Sequence, residues 1–196
     1  MLEWMSTGRL EAFSDGVIAI LITIMVLELH VPRGSDWASI RPVLPILLAY
    51  VLSFVFLGIY WNNHHHTMTA VTQVSGGVLW ANLHLLFWLS LVPFATRWMD
   101  EAGFAPLPTA MYVVVLLLAA VAYWILVVTL VRVEGRESRF AKLLGTNHKG
   151  QISLVCYMVA IPLALLLPPL ALLICAGVAA MWLIPDRRFE ARTPSS

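Results

Sequence analysis

The sequence predicts an all-α integral membrane protein with six transmembrane helices in each chain, and three observations carry that expectation. Of the 196 residues, 60% are hydrophobic and only 12% are charged, with a mean hydropathy of +0.84. A soluble domain carries about 25% charged residues, so this chain cannot cover its apolar surface in water and calls for a bilayer as solvent. Apolar runs recur along the chain at about the 20-residue length that crosses the hydrocarbon as a helix. Finally, 12 Lys and Arg against 11 Asp and Glu leave a net charge of +1, which offers no basic field for nucleic acid and no acidic tail. Cys156 and Cys175 both sit inside apolar runs, against a disulfide framework or a zinc cluster. A secreted disulfide protein, a disordered chain and an ordinary cytosolic enzyme are excluded.

The first span is predicted at residues 11–29 and the second at 42–61. The first is not read as a cleaved signal, because Asp15 lies inside it and Glu28-Leu29-His30 offers no small-residue cleavage site. The third is predicted at 78–98 and the fourth at 109–131. The last apolar stretch, 152–184, is too long for one span. Pro168 and Pro169 interrupt it; a mid-helix proline removes a donor and clashes with the preceding turn. That predicts two helices, 152–167 and 169–184, within one membrane domain covering the whole chain.

Six spans place both termini on one side. With the N-terminus inside, the inner segments hold Arg9, Arg132, Arg136, Arg139, Lys142, Lys149, Arg187, Arg188 and Arg192, and the outer segments hold only Arg33, Arg41 and Arg97. Basic residues favour the cytoplasmic side, so both termini are expected in the cytoplasm and the protein in the plasma membrane. Trp37, Trp61, Trp98 and Trp182 fall near span ends, where interfacial anchors belong. There is no Gly-rich phosphate loop, no arginine ladder and no TVGYG-type carbonyl filter.

Polar residues within the spans are the informative ones, since intramembrane charge needs partners. At about 100° per residue, Gly16, Ile20, Thr23, Ile24, Leu27 and Val31 fall on one face of the first helix. Asp15 lies roughly 140° away. By periodicity alone that apolar stripe reads as lipid contact or helix packing. Ser14 or Asp15 is placed to cap free N–H groups or to anchor a polar network. His64-His65-His66 closes the second span; successive helical side chains diverge by about 100°, so these imidazoles are expected to bond neighbouring helices, not to converge on a metal. The third span carries Asn82 and His84, and a buried imidazole there needs a partner; Asp15, Ser14 and Arg9 are the options.

Arg9, then three residues, then Phe13-Ser14-Asp15 opening an apolar helix resembles the first-helix signature of the transmembrane protein 175 family. The resemblance continues in Tyr60-Trp61-Asn62-Asn63-His64-His65-His66 and in Asn82-Leu83-His84 through Pro93-Phe94. It covers roughly the first half of the chain; the second half matches in hydropathy alone. The resemblance implies six helices per subunit and a homotetramer whose first helices line a central pore for potassium, moderately selective over sodium. It implies a hydrophobic constriction at Ile20, Ile24 and Leu27, and a hydroxyl at Thr23 linked to potassium preference. Arg9, Phe13, Ser14, Asp15 and His84 would form a structural network around the helix. The implied partners are further copies of the chain, the lipid bilayer and permeant potassium, with no resident cofactor, metal or nucleic acid and no enzymatic activity. A proton-coupled or secondary transporter using Asp15 and the histidines is the main alternative; a metalloenzyme built on the histidine cluster and a lipid-facing structural protein are the others.

Overall fold

The computed structural model describes residues 6–32, 34–144 and 148–184. Arg33, Arg187, Arg188 and Arg192, which enter the charge comparison above, lie outside them. Among the described residues every regular element is helical: α1 (Thr7–Leu27), α2 (Leu44–Thr69), α3 (Gly76–Ser90), α4 (Val92–Glu101), α5 (Pro106–Glu134), α6 (Arg139–Leu144), α7 (His148–Leu166) and α8 (Pro168–Leu183). Five segments among the described residues are long and apolar enough to cross a membrane: α1, α2 with its lead-in, α3 with α4, α5, and α7. The remaining apolar helix, α8, has 16 residues, or about 24 Å at 1.5 Å per residue, short of a hydrocarbon core of about 30 Å. The chain is thus a multi-pass membrane protein.

Local chemistry sets the element ends. Two 3-10 turns, Trp37–Ser39 and Arg41–Val43, lead into α2. The Asp36 carboxylate accepts from the Ser39 hydroxyl and backbone N–H, which together hold it below its ordinary pKa. α2 runs past the span end expected at residue 61, because nothing between Trp61 and Thr69 breaks a helix, so all three histidines sit on helical backbone. The third span, expected as one helix, is divided at Leu91. Pro93 has no N–H to give and its ring crowds the carbonyl four residues back. A left-handed pair, Gly103 (φ 60°) and Phe104 (φ 58°), turns the chain into α5, and Gly135 (φ 97°) closes that helix. Leu167 separates α7 from α8, whose first residue is Pro168; proline tolerates the first helical position because that N–H would be unpaired anyway.

α5 is the central helix, packed against α3, α4, α7 and α8. Its buried residues include Tyr112, Leu116, Ala119, Ala122 and Leu126, and they meet Ala160 and Ala164 of α7 and Ala171, Cys175 and Ala179 of α8. Small side chains let backbones approach closely, which drives helix association in lipid, where hydrophobic burial supplies little. Polar links cross-brace the bundle. Ser53 on α2 bonds both Thr96 on α4 (2.8 Å) and Tyr112 on α5 (3.0 Å). The Glu134 carboxylate at the end of α5 accepts from the Thr72 and Gln73 backbone N–H groups (2.6 and 2.9 Å) and from the Thr72 hydroxyl (3.1 Å), tying down the α2–α3 connection.

Candidate functional site on the first helix

α1 has two unlike faces. Leu10, Ser14, Ile18, Leu21 and Met25, spaced three or four apart, are buried against α2 and α3. The opposite face turns away from the rest of the chain: Ile20 is 56% exposed, Ile24 41% and Leu27 80%. Thr23 is exposed beside them. α1 ends at Leu27, so Val31 lies beyond the helical stripe into which periodicity had drawn it. The Thr23 hydroxyl donates back to the carbonyls of Ile20 (2.9 Å) and Ala19 (3.0 Å). With its proton committed to the backbone, its oxygen presents lone pairs outward, the polarity a cation needs.

The buried face carries a chain of hydrogen bonds. Ser14 Oγ donates to the Leu10 carbonyl (2.9 Å) and accepts from Asn82 Nδ2 (2.9 Å). Asn82 Oδ1 then meets His64 Nε2 at 2.8 Å. Because the Ser14 proton is already used, Asn82 must turn its amide nitrogen to Ser14 and its oxygen to His64. His64 therefore carries its proton on Nε2. Its Nδ1 is buried with no hydrogen-bond partner among the described residues, and so is Oδ1 of Asp15. A second link pairs His65 Nδ1 with Glu11 Oε1 at 2.7 Å, with the Trp61 ring stacked on His65 (centroids 6.0 Å apart, planes at 18°). Two neighbouring histidines thus go to two different partners, as their angular separation requires.

Four expected members stand apart from this chain. His84 is exposed and bonds Trp88 Nε1 at 2.9 Å on its own helix; Asn82, not His84, reaches Ser14. Two residues along a helix is about 200°, so the two cannot share a face, and it is Asn82 that keeps company with buried Val78, Leu85, Leu86 and Leu89. Phe13 is 52% exposed. Arg9 is exposed and makes no ion pair among the described residues. Asp15 is half-buried beside Ser14 but forms no hydrogen bond among them. The apolar company of Asn82 was the available sequence signal; the attraction of a histidine as a network former obscured it.

The family model described as endosomal/lysosomal potassium channel TMEM175 matches residues 9–93, which contain α1 from Arg9 onward, α2, α3 and the whole Ser14–Asn82–His64 chain. A potassium channel of Chryseobacterium sp. (strain P1-3) is 52% identical over 186 residues, covering 95% of this chain and 97% of that protein. The chain belongs to the TMEM175 family. The crystal structure of a lysosomal potassium-selective channel TMEM175 homolog from Chamaesiphon minutus superposes with a TM-score of 0.74 at 26% identity, covering 91% of this chain and 96% of that one. The human endosomal/lysosomal proton channel TMEM175 is 31% identical over 118 residues, 54% of this chain but 23% of the human protein. The TMEM175 likeness therefore reaches beyond the segment carrying the motif: the Chryseobacterium relative and the Chamaesiphon structure extend it through α5, α7 and α8.

Proposed function

We propose that this TMEM175 protein is one subunit of a potassium channel, and that four copies place α1 around a shared axis in the plasma membrane, with both termini cytoplasmic, the short α8 making the sixth crossing where the bilayer thins to match it. Ile20, Ile24 and Leu27 then form a hydrophobic constriction. Such a ring expels water, and an ion cannot cross a dry gap without losing hydration, so the constriction gates by wetting and drying. Thr23, repeated by symmetry, offers a ring of oxygens that replaces lost water. One hydroxyl ring discriminates less sharply than stacked carbonyls, so selectivity over sodium is moderate. The conducted ion needs no cofactor. Arg9, Phe13, Ser14 and Asp15 support α1, with Asn82 and His64 taking the place proposed for His84.

One observation carries this reading: α1 turns its Ile20, Thr23, Ile24 and Leu27 face away from its own subunit while its other face is tied down by buried polar bonds. The names of the Chryseobacterium and Chamaesiphon relatives support the choice of ion. The test is flux from liposomes holding purified protein. Potassium flux should exceed sodium flux, and Ile20→Asn should raise potassium flux several-fold because a polar ring holds water. A folded Ile20→Asn protein with wild-type flux would remove the constriction from this face.

The unpartnered Asp15 Oδ1 and His64 Nδ1 favour a second reading, a proton-coupled transporter with these two groups as its relay. It requires saturable flux coupled to a pH gradient, whereas a channel current follows the electrochemical gradient alone.

A further inference from the structure

Away from α1, a cavity of about 120 Å³ opens between α2, α5, α7 and α8. Six aromatic side chains wall it: Phe56 and Tyr60 from α2, Tyr123 and Trp124 from α5, Tyr157 from α7 and Trp182 from α8. Their mutual contacts are edge-on, Phe56 to Tyr157 at 6.3 Å and Tyr60 to Tyr123 at 6.1 Å between centroids, the arrangement that leaves ring faces open to a further ring. We infer that this cavity binds a neutral aromatic molecule of about the size of phenol that carries one hydrogen-bonding group.

Size, charge and polarity each narrow the ligand. An engineered cavity of about 150 Å³ accepts benzene, so the room available here suits a single small ring system. Every residue lining the cavity is uncharged. Lys149 stands at 5.8 Å over the Trp182 ring, and that positive charge at the rim disfavours a cation. No charged donor lines the wall to hold an anion. Two phenol groups supply the polar contact. The Tyr123 hydroxyl is engaged with Thr67 (2.8 Å) and the Asn63 carbonyl (3.2 Å). Those of Tyr60 and Tyr157 form no hydrogen bond among the described residues, although Tyr157 is only 3% exposed. A ligand pocket is typically this mixture, mostly apolar wall with a few polar groups that fix orientation. Both hydroxyls are therefore free to bond a ligand's oxygen or N–H.

The site also has a route to the pore helix. Asn63 lines the cavity and directly precedes His64, whose bond to Asn82 continues to Ser14 on α1. Occupancy should therefore alter ion flux. That consequence rests on the channel reading; binding itself does not.

The test uses 4-fluorophenol and the full chain in lipid nanodiscs, with protein-free nanodiscs as the partition control. Fluorine NMR should detect saturable binding, one probe per chain. Ala120→Leu, which fills the cavity from α5, should abolish it. Tyr157→Phe removes a hydroxyl that bonds nothing among the described residues, so the fold is kept, and affinity should fall by about three- to tenfold, the worth of one hydrogen bond. Binding that only scales with lipid, binding unchanged in both variants, or a co-purifying lipid that 4-fluorophenol cannot displace would overturn the assignment. In liposomes the probe should change potassium flux through wild type and not through Ala120→Leu. Saturable binding with unchanged flux would overturn the route to α1, and saturable binding in a protein that conducts nothing would overturn the channel reading while the site stands.

Discussion

Ser14 spends its only proton on the Leu10 carbonyl, and that choice dictates the orientation of Asn82 and the tautomer of His64. Asn82→Ala therefore strips two buried partners at once. The His64 N–H loses its acceptor, and stability should fall by about 1–3 kcal/mol, read as a lowered Tm in detergent. His84→Ala, on an exposed face two residues away, should cost no more than about 0.5 kcal/mol. Equal losses would show that both residues hold the fold. On the outward face of α1, Thr23→Ala removes the outward-facing oxygen and should bring the potassium/sodium permeability ratio closer to one; an unchanged bi-ionic reversal potential would take Thr23 out of selectivity. The division between Ser14 and the Ile20 stripe was legible from helical period, because both sets are fixed by 100° steps along one helix. The preference for Asn82 over His84 was not, because it depends on how α3 is rotated against α1.

At the scale of elements, apolar length located the helices, since hydropathy is a local property of the chain. Their breaks were less legible. Pro93 divides α3 from α4, whereas Pro162 lies within a continuous α7; both residues lack the same donor, and the surrounding packing decides which one ends a helix. The overrun of α2 past Trp61 matters more, because it carries His64 and His65 to the level of Ser14 and Glu11. The Glu134 carboxylate supplies the polar tie to the α2–α3 connection, beside the buried Val71 and Val74. Glu134→Gln keeps the shape but replaces charged acceptance by a neutral amide, so the loop should loosen, with faster backbone hydrogen exchange at Thr72 and Gln73 and a stability loss of about 1 kcal/mol. Unchanged exchange would mean that backbone geometry alone sets the loop.

For the whole molecule, the isolated subunit leaves Ile20, Ile24 and Leu27 uncovered on a helix whose far side is firmly held. Within the described chain α5 packs closely on small residues of α7 and α8, and the proposed ion route therefore runs between copies of the chain rather than through one. The detergent-solubilised protein should have a mass of four times 21.8 kDa by light scattering, corrected for bound detergent. A monomer or dimer that still conducts would remove the four-fold axis. Composition and periodicity by themselves determined that this chain lives in a bilayer as a set of apolar helices, and that one face of the first helix is separate from its polar opening. Those properties depend on residue type and sequence spacing alone. The tertiary structure alone decided which side of α1 is buried, which of two neighbouring polar residues on α3 meets Ser14, and that six aromatic rings from four helices enclose one cavity. Each of these requires groups far apart in sequence to meet at hydrogen-bond or van der Waals distance, and the rotation and depth of one helix against another, set by packing, determine whether they do.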